Sequence, residues 1–119
     1  MSRILIVDDS KTSRKMLRNI LEAAGHTIVG EAQTGQAGVS QYRALRPDIT
    51  TMDITMPLMD GLEALQEIRS QDPSAVVIMV TAAGQQKKVL EALKYGAAEF
   101  VSKPFEADDI EDVIRKVSH

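Results

Sequence analysis

Short apolar runs alternate with segments of helical periodicity along this chain. Ile4-Leu5-Ile6-Val7 is continuous and rich in β-branched residues, as expected of a strand buried on both faces. Met16, Leu17, Ile20, Leu21 and Ala24 then recur at helical spacing, and Gly25 marks the end of that helix. Thr27 to Ala32 reads as a second strand, and its mixed polarity and Gly30 place it at a sheet edge. Ala37 to Leu45 gives a weak second helix closed by Pro47. Asp48 to Ile54 is a third strand, less apolar because of Thr50 and Thr51. Leu62, Leu65 and Ile68 mark a third helix that ends before Pro73, and Ala75 to Val80 reads as a buried fourth strand. Val89, Leu90 and Leu93 mark a fourth helix stopped by Gly96. Ala98 to Ser102 is a fifth strand, and Ile110, Val113, Ile114 and Val117 form the apolar stripe of a last helix.

Five strands alternating with five helices predict an α/β fold, a parallel sheet covered on both faces. Right-handed crossovers leave few topologies. The flavodoxin-like doubly wound (βα)5 sheet, order 2-1-3-4-5, is adopted as the rule for such a chain. It sets strands one and three side by side, with the topological switch point between them. Ligands of such sheets bind at the carboxyl ends of the strands.

The 119 residues suit one domain, residues 1–119, with one core. With 44% hydrophobic and 26% charged residues, the chain is too apolar for a disordered one. A net charge of −3 argues against non-specific nucleic-acid binding. The absence of cysteine excludes disulfides and thiolate metal sites, and is compatible with a reducing cytoplasm. No apolar run is long enough for a signal-peptide core or a membrane span, so a cytoplasmic location without membrane insertion is expected.

The polar residues suited to chemistry fall at the strand ends. Asp8 and Asp9 end strand one, Asp53 strand three, Thr81 strand four and Lys103 strand five. Three carboxylates, a hydroxyl and an ammonium should therefore converge on one edge of the sheet. Clustered carboxylates repel one another, and a hard divalent cation relieves that strain. Mg²⁺ takes one or two protein carboxylates and keeps its other positions for water or phosphate oxygens. An aspartate can attack phosphorus, with the cation and a lysine balancing charge on the transferring group. Plainer readings exist for each residue alone. Asp9 or Ser10 could cap the first helix. Asp53 could be a turn residue before Pro57, Thr81 could begin a turn or cap helix four, and Lys103 could be a solvated lysine. Those readings do not explain why all five fall around one switch point. His26 and His119 have no ligand partner at motif spacing and read as surface residues.

Four segments in order resemble the response-regulator receiver domain: Ile4-Leu5-Ile6-Val7-Asp8-Asp9-Ser10; Met52-Asp53-Ile54-Thr55-Met56-Pro57-Leu58-Met59-Asp60-Gly61; Val80-Thr81-Ala82; and Phe100-Val101-Ser102-Lys103-Pro104-Phe105. The resemblance spans essentially the whole chain. It implies a signalling switch that accepts a phosphoryl group from a histidine kinase, not an enzyme acting on other substrates. Asp53 would be the phosphoacceptor and a direct Mg²⁺ ligand. Asp9 would be the second direct carboxylate, Asp8 would act through a metal-bound water, and the Thr55 carbonyl would be a third protein ligand. Lys103 would contact the phosphoryl oxygens, and Thr81 would swing its hydroxyl onto them. Phe100 matches the family's rotating aromatic and, lacking a tyrosine hydroxyl, would work by packing alone. The Lys103–Pro104 bond would be cis. Thr55 and Ala83 occupy the two positions that tune the lifetime of the phosphoryl group. Thr55 departs from the family's usual residue types, and Ala83 is too small to shield the group.

The chain stops after its fifth helix, which favours a stand-alone regulator, expected as a monomer. The run from Asp53 to Pro57 and the Gly84-Gln85-Gln86 stretch are similar to chemotaxis regulators of the CheY type. That similarity implies a partner face on helix four, strand five and helix five, from Val89 to Tyr95 and near Phe105. A flagellar motor switch protein and a phosphatase are its candidate partners. Three alternatives remain. The chain could be a receiver taken from a larger transcriptional or enzymatic regulator. It could be an aspartyl-phosphate phosphatase, although that wants a carboxylate at Thr55. It could carry FMN, although Asp8 and Asp9 would repel the phosphate.

Overall fold

A computed structural model describes residues 1–118; His119 lies outside the described residues. The elements, in order, are β1 (Arg3–Val7), α1 (Lys11–Ala23), β2 (Thr27–Ala32), α2 (Gly35–Leu45), β3 (Ile49–Asp53), α3 (Gly61–Gln71), β4 (Val77–Thr81), α4 (Gln86–Lys94), β5 (Glu99–Ser102) and α5 (Ala107–Val117). The five strands are parallel in the order β2-β1-β3-β4-β5. The flavodoxin-like order adopted as the rule for such a chain is the one observed.

Alternation along the strands divides the core in two. Ile4 and Ile6 face α1 and α5, packing with Leu17, Leu21, Ile78 and Ile114. Leu5 and Val7 face α2, α3 and α4, packing with Met52, Leu65, Met79 and Val89. This is why the first strand reads as an unbroken apolar run: both of its faces are buried. Among the described residues no helix is long and apolar enough to cross a membrane.

The boundaries differ from the sequence reading where local bonds decide them. β4 runs from Val77 to Thr81, two residues later than its apolar run begins. Ala75 remains buried, but its N–H donates to Asp72 O in a turn. Asp48 lies before β3 and accepts from Arg3 N through Oδ2 at 2.8 Å. β2 is an edge strand as expected, and its register slips opposite Ile4/Leu5 so that Gly30 faces Leu5. The first turns of the helices lie upstream of their apolar stripes, because side chains cap them. Ser10 Oγ accepts from Ser13 N, Thr34 Oγ1 from Ala37 N and Asp60 Oδ1 from Glu63 N. The stripe of α1 is also corrected. Met16 is exposed, and the buried positions are Arg14, Leu17 and Leu21.

β3 carries two threonines through the core. Thr50 and Thr51 are buried, and neither Oγ1 has a hydrogen-bond partner. An unpaired buried hydroxyl weakens a fold. Thr51→Val keeps the shape and removes it. The expected outcome is a gain of about 1 kcal/mol in unfolding free energy by urea titration; a loss would mean that the hydroxyl is paired.

Candidate functional site

The site is assembled by register. Val7 pairs with Met52 and Asp53 with Val80, so Asp8 emerges from β1 beside the end of β3. Thr81 pairs with Ser102, and Lys103 N donates to Thr81 O at 2.7 Å. Five residues scattered from position 8 to position 103 thus meet at the carboxyl edge of the sheet. Asp53 and Thr81 are the last residues of their strands, whereas Asp8, Asp9 and Lys103 follow the ends of theirs.

One carboxylate oxygen each of Asp8, Asp9 and Asp53 lies within 4.8 Å of the other two. Asp8 and Asp53 are buried and Asp9 is exposed. Asp8 Oδ1 accepts from Ser10 N at 2.8 Å, which fixes the carboxylate. Lys103 Nζ lies 3.1 Å from Asp8 Oδ2 and 3.9 Å from Asp53 Oδ2. Lys103 is therefore tied into the cluster, not an ordinary solvated lysine. Asp8 Oδ2 has this charge partner but no aligned hydrogen bond, and is left as a buried acceptor. Burial, followed by the charge of Asp8, pushes the Asp53 carboxyl up from 3.8 to about 7; Lys103 opposes that rise and Asp9 adds to it. Clustered oxygen donors with a buried, unsatisfied acceptor fit a hard divalent cation.

The plainer readings divide. Ser10, not Asp9, caps α1. The Lys103–Pro104 bond is cis. Thr81 Oγ1 lies 3.0 Å from Ala82 O and 3.0 Å from Gln85 Oε1, so its hydroxyl is engaged in the β4–α4 loop. Thr55 is exposed, and its Oγ1 accepts from Gln85 Nε2. Phe100 is 39% exposed, beside a groove of about 310 Å³ lined by Thr81, Gln85, Val89, Leu90 and Leu93. Phe105 is buried in the α1/α5 core, which removes it from any partner face, whereas Leu90, Leu93 and Tyr95 are exposed. His26 is only half-exposed, and its Nδ1 accepts from Ser2 N at 3.1 Å.

One residue escaped the sequence reading, and two others, Gly61 and Gln85, entered it only within family-like segments and without a role. Arg14, itself buried, donates from Nη1 to Asp8 O at 2.8 Å and from Nε to Glu31 Oε1 at 3.1 Å. It braces the turn that carries Asp8 and Asp9. Its signal was its helical phase, since it lies three residues before Leu17 and seven before Leu21. Gly61 fits because it has no side chain: a Cβ there would lie 2.2 Å from Asp53 O. Gln85 bonds three groups, one at the end of β4 and one on each of the loops after β3 and β4; its sequence neighbourhood carries a family likeness but does not mark these bonds.

A family profile described as the response regulator receiver domain matches residues 4–115. The chemotaxis protein CheY of Thermotoga maritima is 47% identical over 116 residues, covering 98% of this chain and 97% of that one. A protein-glutamate methylesterase/protein-glutamine glutaminase of Archaeoglobus fulgidus is 43% identical over 86% of this chain, but the match spans only 30% of that larger protein. A chain in the crystal structure of the CheX–CheY–BeF3–Mg²⁺ complex from Borrelia burgdorferi superposes with a TM-score of 0.93 at 37% identity. It covers 97% of this chain and 87% of that one.

The raised Asp53 value has a stability consequence. The folded carboxyl holds its proton up to about pH 7, whereas an unfolded one loses it near 3.8. The metal-free protein therefore loses stability as pH rises through that window. Asp53→Asn is neutral throughout. Without metal it should be more stable than the unaltered protein by about 1–3 kcal/mol at pH 8, the gain shrinking towards zero near pH 4. Urea midpoints across that range check this, and a gain independent of pH would contradict it.

Proposed function

The chain belongs to the response regulator receiver domain family, and from that premise we propose that it is a phosphorylation-activated switch of a two-component system with Asp53 as its acceptor. We read residues 1–119 as one receiver domain working in the cytoplasm. The observation that carries the reading is the setting of Asp53, a buried carboxylate within reach of two others and of the Lys103 ammonium.

In the proposed reaction an Asp53 carboxylate oxygen bonds to phosphorus as the bond from phosphorus to a histidine nitrogen of the kinase breaks. The imidazole leaves and takes up its proton from solvent. Asp8, Asp9, Asp53 and the Thr55 carbonyl would hold Mg²⁺, which when bound neutralises charge on the phosphoryl oxygens. Lys103 already spans Asp8 and Asp53, and its ammonium would follow the new charge onto the phosphoryl oxygens. The protein turns over no other substrate; it assists only its own phosphorylation and dephosphorylation.

The output follows from the added charge, about −1.5 to −2. The Thr81 hydroxyl is a donor on the neighbouring strand and would turn inward to meet it. Phe100 would then turn from its exposed position into the groove beside Thr81, helped by burial of its ring. The surface of α4, β5 and α5 would change for a downstream partner. The 47% identity to CheY over nearly the whole chain supports a role in chemotaxis; on that reading the target would be a flagellar motor switch protein, a phosphatase would be a further partner and the chain would act as a monomer. The methylesterase relative favours a second reading, a receiver within a larger regulator.

Intact-mass measurement after incubation with a small phosphodonor and Mg²⁺ tests the acceptor. One phosphoryl group should be gained, and none by Asp53→Asn. Lys103→Arg keeps the charge but not the compact ammonium, and should still take up some phosphoryl group while losing partner binding. In parallel, Mg²⁺ should raise the melting temperature of the unaltered protein and have little effect on Asp9→Asn. Equal stabilisation of both would remove Asp9 from the metal site.

A further inference from the structure

Gln85 ties the loop after β4 to the loop after β3. Its Oε1 accepts from Ala82 N at 2.9 Å and lies 3.0 Å from Thr81 Oγ1. Its Nε2 donates to Thr55 Oγ1, thirty residues away on the β3–α3 loop. The orientation of this amide is not arbitrary. Ala82 N–H can only donate, so the oxygen must face it and the NH₂ must face Thr55. Thr81 has one hydroxyl proton, shared between Gln85 Oε1 and Ala82 O, and both acceptors lie in the β4–α4 loop. The proton that a phosphoryl group on Asp53 would need is thus already committed elsewhere.

The loop itself is weakly held. Ala82, Ala83 and Gly84 are exposed, Gly84 has φ +85°, and a Cβ on Gly84 would meet nothing within 4 Å. Packing therefore does not fix this segment, and the side-chain bonds of Gln85 do. A segment held by a few bonds, with an open groove beside it, can have two arrangements of similar free energy.

We infer that Gln85 is a positioning residue that latches the resting form, holding the Thr81 hydroxyl in the β4–α4 loop and tying that loop to Thr55. Phosphorylation must displace its side chain before Thr81 can turn inward. This inference rests on the reading of Asp53 as acceptor and Thr81 as its switch partner. It assigns the bias of the switch to a residue whose side-chain bonds go to Thr81, Ala82 and Thr55, outside the carboxylate cluster. Removing a latch lowers the work of reaching the active form, so ligands of that form bind more tightly. Loss of one net hydrogen bond corresponds to about three- to tenfold.

The test is the affinity of the full chain for beryllofluoride with saturating Mg²⁺, by NMR titration. Gln85→Ala should bind about three- to tenfold more tightly than the unaltered chain. In a Thr81→Ala background, with no hydroxyl to hold, the same change should have a clearly smaller effect, since only the tie to Thr55 remains. Gln85→Met keeps the volume without the bonds and should behave like Gln85→Ala, which covers failure of the alanine variant to fold. If Thr81→Ala binds too weakly to measure, the Thr81 methyl resonance of ligand-free Gln85→Ala decides. It should move towards its beryllofluoride-bound position, and an unmoved resonance overturns the latch. Unchanged or weaker binding by both Gln85 variants overturns it, as does an equal gain with and without Thr81. Failure of the unaltered chain to bind beryllofluoride would instead overturn the acceptor reading itself.

Discussion

Everything at the functional edge depends on the crowding of like charge between β1 and β3. Two buried carboxylates and one exposed one stand within 4.8 Å of each other, against a single ammonium. Such a cluster is unstable on its own terms: burial first, and then the charge of Asp8, push Asp53 up to about 7. With all three carboxylates ionised, Lys103 leaves a net two negative charges, which one divalent cation balances. The arrangement that destabilises the bare site is the one that gives a cation, and then a transferred phosphoryl group, something to compensate.

The rest of the architecture holds that strained group in place. The β1 residues next to Asp8 are fully buried on both faces, so the end of the strand cannot relax away from β3. Arg14 fixes the carbonyl of Asp8 and is itself fixed by Glu31, which Arg18 also holds at 2.7 Å. Gly61 lets the start of α3 press against the carbonyl of Asp53, and Gly61 N donates to Ile54 O at 2.7 Å. Repulsion would otherwise be released by backbone movement. Here it is retained, and titration or ligand binding must answer it.

On the far side of the site the structure is loose. The β4–α4 loop is exposed, Phe100 is only partly covered, and the groove between them is open. A rigid charged centre beside a loosely held output loop lets one local change of charge alter a distant surface, because the loop has somewhere to go. Thr81 sits on the boundary, its backbone fixed in β4 and its hydroxyl committed to the loop.

The apolar runs and helical spacings determined the ten elements, and the motifs at strand ends named the residues of the charged centre. Both are local signals: periodicity records burial, and Asp8, Asp9, Asp53, Thr81 and Lys103 each stand where their strand stops. Tertiary structure decided what those residues became. Only the parallel register brings Lys103 within 3.1 Å of Asp8, and only burial among the other carboxylates raises Asp53. Arg14 and Met16 show why composition alone misleads. The arginine lies on the buried stripe because Asp8 O and Glu31 satisfy it, while the methionine faces solvent. The bridging role of Gln85 could not be read from the sequence, because two of its partners are its neighbours and the third is brought to it only by the folding of β3 beside β4. Hydrophobic pattern fixes where the chain is buried, but the pairing of long polar side chains depends on distances that exist only once the sheet has formed.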